Sequence, residues 1–257
     1  MNLIIGELSR IYFTHGKNLK TSLISILVFI LIIVIGYNRF ASKLMAYPDI
    51  IILVVSLIFF LRIILGSLTA PINEITKEIT SKRIGFLSSL YFKIDMLIIL
   101  RVAFLTLLNI VLALFFLTSI DVLLGENFTI VSYQYLIIFF TCFMGAFSLI
   151  GLGLLISGLM LYTQVKRSYL AIIQIIVFYG IFSFPKGHIL IPFSNAKILI
   201  YNIIAGFQIA NEHLINNFLF CIINSILFLL IGILIFRLLF LMTTKNKSLL
   251  SLNNINL

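Results

Sequence analysis

Apolar residues along this chain collect in long unbroken runs, not in short alternating or amphipathic blocks. Six runs stand out, at Thr21–Tyr37, Ile50–Leu68, Met96–Ile120, Tyr133–Leu161, Tyr169–Phe184 and Phe218–Met242. Runs of about 20 apolar residues predict helices that cross a bilayer, because about 30 Å of hydrocarbon is covered at 1.5 Å per residue. Lipid offers no hydrogen-bond partners, so each run must satisfy its own backbone as a helix. The alternating strands of roughly ten residues that build a barrel are absent. The pattern predicts an all-α membrane protein with six transmembrane helices in a domain over 21–242. A segment 1–20 precedes it, and a tail 243–257 follows.

Composition agrees with the pattern. Of 257 residues, 62% are hydrophobic and 10% charged, with a mean hydropathy of +1.23, which excludes a water-soluble enzyme. Lys17 and Lys20 precede the first run as they would in a signal peptide. The long leader ahead of it, the missing small-residue cleavage site and the five further runs predict a retained helix instead.

The net charge of +10 raises the question of a nucleic-acid partner, but the basic residues are scattered beside lipid and predict topology. With the N-terminus inside, the inner segments hold Arg10, Lys17, Lys20, Lys77, Lys82, Arg83, Lys93, Lys166, Arg167, Lys245 and Lys247. The outer ones hold Arg39, Lys43, Lys186 and Lys197. Positive charge is retained inside, so both termini are expected in the cytoplasm. In this orientation Arg62, Arg101 and Arg237 fall toward the cytoplasmic ends of their helices, where long side chains would snorkel to headgroups.

Candidate chemistry within the runs is sparse. The acids Glu7, Asp49, Glu74, Glu78, Asp95, Asp121, Glu126 and Glu212 are expected in loops or at span edges, so the sequence displays no proton relay. His213 and Asn217 have the spacing of some membrane-embedded proteases, yet no Glu-Glu pair exists to activate water. Gly16-Lys17 lacks the other residues of a phosphate-binding loop, so the chain is not expected to hydrolyse ATP by itself. Cys142 and Cys221 read as buried small residues, and no metal site is expected. Asn109, Gln174 and Asn224 are polar residues within runs and are expected to bond between helices, with contact to a substrate in the pathway as the alternative. Gly153 and Ser157 are four apart and suit close helix packing, with a place at a subunit interface or pathway as the alternative.

The inner loop 69–95 carries the most distinctive pattern. Its charged first part ends at Lys82 and Arg83, and Ile84, Leu87 and Tyr91 then share one face of a short helix over Ser81–Phe92, with Gly85 permitting close approach. This loop resembles that of the ABC-2 family of exporter permeases, in which an acidic and basic stretch reaches a glycine, runs on through leucines and leads into a third span beginning with a basic residue. The matching residues are Glu78, Lys82, Arg83, Gly85, Leu87, Leu90 and Arg101. The family's common Glu-x-Gly-Thr is replaced by Lys82-Arg83-Ile84-Gly85-Phe86. Gly151–Pro185 is similar to the family's fourth span, short inner turn and fifth span ending at proline.

The resemblance implies a plasma-membrane permease, bacterial in kind. Its cytoplasmic ATPase subunits, two per complex, would bind ATP and magnesium and dock on Lys82, Arg83, Ile84, Gly85, Phe86, Leu87, Leu90 and Tyr91. A second permease chain, identical or homologous, would complete the pathway. The cargo implied is apolar or amphipathic, an antimicrobial peptide first and a drug or lipid next. The first twenty residues, with Glu7, Arg10 and Lys17 facing water, fit the family's interfacial helix. The outer segment 185–217 contains Ile198–Ala210, too short to span, which reads as a re-entrant or interfacial hairpin. The resemblance makes it an outer gate broken at Pro185, Pro192 and Gly206. The competing class is a membrane protein without transport, such as an intramembrane hydrolase or a scaffold.

Overall fold

The computed structural model describes residues 23–24, 26–28, 30–31, 48–80, 94–124, 130–163, 169–183, 187–206 and 211–245. Among them are seven helices and no strand. The helical residues within 23–31 form α1. It is followed by α2 (Pro48–Thr80), α3 (Ile94–Leu124), α4 (Ser132–Thr163), α5 (Tyr169–Ser183), α6 (Ser194–Ile204) and α7 (Asn211–Lys245). Four are long and apolar enough to cross a membrane, over Ile50–Glu78, Ile98–Leu123, Ser132–Thr163 and Leu214–Thr243. α5 is a shorter apolar helix of 15 residues. The expected segments 1–20 and 243–257 lie wholly or mostly outside the described residues.

The core divides into two levels that fix the course of the chain. At one level Ala70 and Ile75 of α2 meet Ile98 and Val102 of α3, Leu154 and Leu161 of α4 and Phe236 of α7. At the other, Val55–Ile64 of α2 meets Ile110–Ile120 of α3, Ile138–Leu149 of α4, Ile200–Ile204 of α6 and Cys221 of α7. α2, α3 and α4 therefore run antiparallel in turn, and α7 runs parallel to α4. α4 is central, packing on α2, α3, α6 and α7 and most extensively on α7.

Glycine allows that centrality. A Cβ on Gly151 would lie 2.2 Å from the Phe228 carbonyl oxygen, and one on Gly232 would lie 2.1 Å from that of Gly151, so α4 and α7 meet backbone to backbone. Gly153 faces α2 instead, where a Cβ would stand 2.6 Å from the Leu68 carbonyl oxygen and close to Pro71. Ser157 turns its hydroxyl onto the Leu154 carbonyl of its own helix at 2.7 Å. The expected close-packing role of Gly153 is met within this chain, whereas Ser157 bonds locally. Cys142 and Cys221 are free and buried, as expected for small core residues.

Three expected elements change their boundaries. The second span does not end at Leu68: α2 continues through Pro71 to Thr80, so residues 69–80 and 94–95 of the expected inner loop 69–95 are helical and 81–93 lie outside the described residues. Proline removes one backbone donor, but packing against α4 holds the helix on both sides of it. The final helix starts at Asn211, not Phe218, and the short outer helix is Ser194–Ile204 in place of Ile198–Ala210. Phe193, with φ 64°, stops backward extension of α6, and Gly206, with φ 69°, follows its end. Pro192 lies in the turn before α6, while Pro185 is outside the described residues.

Candidate functional site

Extending α2 moves its charged side chains relative to the bundle. Glu74 and Glu78, expected in a loop, are one turn apart on α2 and only 4% and 2% exposed. Arg101 of α3, expected to snorkel, is 1% exposed and turned inward. Its Nη1 donates to Glu78 Oε1 at 2.5 Å and lies 4.0 Å from Glu74 Oε2, and Lys77 Nζ donates to Glu74 Oε1 at 2.9 Å. Two carboxylates thus meet two cations, and the cluster ties the end of α2 to the start of α3. Burial turns Arg101 and Glu78 toward one another because neither charge has nearby water to prefer.

Arg62 has a different setting. The longer α2 places it near the middle of Ile50–Glu78 and not at a helix end, which corrects the snorkelling expectation. It is partly buried, and its Nε is enclosed without a hydrogen-bond partner. Beside it opens a cavity of about 580 Å³ between α1, α2, α3 and α5. The volume falls within the roughly 300–1,000 Å³ of small-molecule sites. Ile26, Leu57, Ile58, Leu65 and Phe116 supply most of the wall, and Arg62, Thr69, Asn109 and Gln174 supply its polar points. Asn109 sits against Gly66, where a Cβ would come within 2.7 Å of its Nδ2. Sequence reasoning expected Asn109 and Gln174 to bond between helices; the fold brings both to this cavity with Arg62.

A second polar region surrounds the break between α5 and α6. The turn 187–193 is irregular, so its backbone groups need outside partners. Ser148, near the middle of α4, accepts a hydrogen bond from the Phe193 N–H at 2.9 Å. Asn224 of α7 donates to the carbonyls of Ile189 and Ile191, and Ser194 ties the turn through both the N–H and the carbonyl of His188. Asn224, expected to bond between helices, instead has as its partners the carbonyls of the irregular turn before α6. Lys197 donates to the Ile181 carbonyl at the end of α5 at 2.7 Å and lies over the Phe182 ring. Phe60 of α2 makes edge contacts with both Phe182 and Phe193, so the end of α5 and the start of α6 adjoin.

The expected docking residues Lys82, Arg83, Ile84, Gly85, Phe86, Leu87, Leu90 and Tyr91 lie outside the described residues, as do Glu7, Arg10 and Lys17. Among the described residues no group of His, Cys, Asp and Glu forms a cage for a metal ion. The residues that sequence reasoning missed are Arg62 as a cavity residue, the Glu74–Glu78–Arg101 cluster, and Ser148 and Lys197 as partners of the break. The i, i+4 spacing of Glu74 and Glu78 was a usable signal for the cluster. Comparison with known proteins adds no relative: no family model matches the chain, and no curated protein or solved structure matches it.

Proposed function

We propose that this chain is the permease subunit of an ATP-driven exporter of the ABC-2 kind, which passes an apolar or amphipathic molecule across the plasma membrane by alternating access. ATP would be hydrolysed on separate cytoplasmic subunits, and a second permease chain would complete the pathway. The observation that carries the reading is the cavity of about 580 Å³, set at mid-span and apolar with a few convergent polar groups. The cluster of Arg101, Glu74 and Glu78 supports it, because motion delivered through 81–93 would reach the cavity walls α2 and α3 through a rigid joint.

In this reading six crossings place both termini inside. α5 and α6 together make one interrupted crossing: at 1.5 Å per residue their 15 and 11 residues cover about 22 and 16 Å. Irregular backbone at membrane depth is tolerated where protein satisfies it, which is the service of Ser148 and Asn224. Discontinuous helices of this sort flank the pathways of many transporters. The expected outer gate becomes the outward half of a broken helix, with Pro192 and Gly206 at its limits. A cargo of antimicrobial peptides, drugs or lipids follows from the family resemblance.

Purification from a mild detergent tests the assignment. An ATPase subunit should accompany the chain, and deletion of Ser81–Phe92 should release it; Arg83→Glu should uncouple ATP hydrolysis from export while insertion stays normal. If the chain never brings down an ATPase and its activity survives the deletion, it is a membrane protein of another class.

A further inference from the structure

We propose that the cavity beside Arg62 binds an anionic amphiphile, a molecule with a carboxylate or phosphate head and an apolar tail, and that Arg62 is the counter-charge for the head. Calling this molecule the cargo rests on the permease reading; the binding itself does not.

Arginine keeps its charge in any protein setting, so Arg62 cannot escape its position by losing a proton. A charge within a long apolar spanning helix is costly, so it is retained there for a partner or a task. Among the described residues Arg62 has neither an ion pair nor a hydrogen bond, and its Nε is enclosed without one. The acids on the same side of the fold are committed elsewhere. Glu74 and Glu78 lie three to four turns away along α2 and hold Arg101 and Lys77, and Asp121 of α3 accepts from the Tyr135 hydroxyl at 2.6 Å.

The cavity is complementary to such a ligand at both ends. The planar guanidinium offers two parallel N–H groups to a carboxylate or phosphate, a stronger contact than a neutral hydrogen bond. The amides of Asn109 and Gln174 open onto the same space and can donate to the remaining oxygens, while Leu57, Leu65 and Phe116 furnish apolar wall for a tail. A cationic amphiphile would meet an uncompensated positive charge, and a neutral one would leave Arg62 unpaired. This narrows the cargo: anionic lipids and acidic drugs fit the cavity, and cationic peptides do not.

The chain contains no tryptophan, so Phe116→Trp in the full-length protein creates a single fluorescent reporter in the cavity wall. In micelles of neutral detergent its emission is titrated with ionised dibromostearate, with the methyl ester of that acid, and with dibrominated phosphatidylglycerol and the corresponding dibrominated diacylglycerol, which lacks the phosphate. Saturable quenching is expected from dibromostearate or the phosphatidylglycerol, and whichever binds more tightly identifies a free carboxylate or a phospholipid head as the source. Each anionic probe should bind about tenfold more tightly than its neutral counterpart, the equivalent of one charge-assisted hydrogen bond. Arg62→Gln should abolish that preference and Arg62→Lys should keep part of it. Equal binding of anionic and neutral probes, absence of saturable quenching, or a preference that survives Arg62→Gln overturns the proposal. Should Arg62→Gln fail to fold, Arg62→Lys decides: a preference reduced but present supports the site, and an unaltered one overturns it. No ATPase enters these titrations, so loss of the permease assignment and loss of this site are separate results.

Discussion

Arg62 and Arg101 are the same residue on adjoining helices, yet the fold treats them in opposite ways. Arg101 is enclosed between Glu74 and Glu78, and Lys77 balances the remaining charge. Arg62 stands nearer the bilayer centre, without an ion pair among the described residues, at the edge of an open volume. A buried cation that has its counter-ions built in is a joint between helices. One that lacks them beside a cavity is available to a ligand. The difference separates the part of the bundle that must stay assembled from the part that has room to work.

The largest effect that could break this distinction is at the joint. Arg101→Gln should cost about 3–5 kcal/mol, because it leaves two carboxylates facing each other out of water. Thermal unfolding in detergent measures it, and combining the change with Glu78→Gln should recover part of the loss, as expected for residues in direct contact. Next comes the seam between α4 and α7. Gly232→Leu forces a side chain into the Gly151 backbone and should destabilise by about 1–3 kcal/mol or more, seen as a lower aggregation temperature. Ser148→Ala removes the partner of the buried Phe193 N–H and should cost about 1–3 kcal/mol. Hydrogen exchange should then rise in 187–193 before it rises in α4.

The cavity side should be tolerant by comparison. Gly66→Ala meets only the end of the Asn109 side chain, which can swing into the open volume, so a loss below about 1 kcal/mol is expected together with weaker ligand binding. Arg62→Gln should leave stability unchanged or raise it, because it removes a charge that has no built-in counter-ion among the described residues. If it proved as damaging as Arg101→Gln in the same unfolding experiment, Arg62 would be another joint and the contrast would collapse.

How far each of these regions could be read in advance follows from how local its cause is. Long apolar runs demand helices wherever they occur, so the helical class and the approximate positions of α3, α4 and α5 were legible. The end of α2 was not. Residues 69–80 are polar enough to read as a loop, and Pro71 reinforces that reading, but Glu74 and Glu78 become compatible with a buried helix once Arg101 is opposite. Local rules likewise put Arg62 near a helix end because the helix was taken to stop at Leu68; twelve further residues move the midpoint. Asn109, Gln174 and Asn224 are indistinguishable in sequence, each a lone amide in an apolar run. Only the fold sends Asn224 to the irregular turn before α6 and the other two to the cavity.

The opening pattern of apolar and polar positions determined by itself the helical, membrane-like class, since backbone hydrogen bonding in lipid allows little else; it predicted six spans, and among the described residues four helices are long and apolar enough for a bilayer. It also limited the places where charge could do anything, because so few charges fall inside the helices. The tertiary structure decided which of those charges are neutralised, through the pairing of α2 with α3. Such pairings depend on distances between residues far apart in the chain, and no local periodicity encodes them.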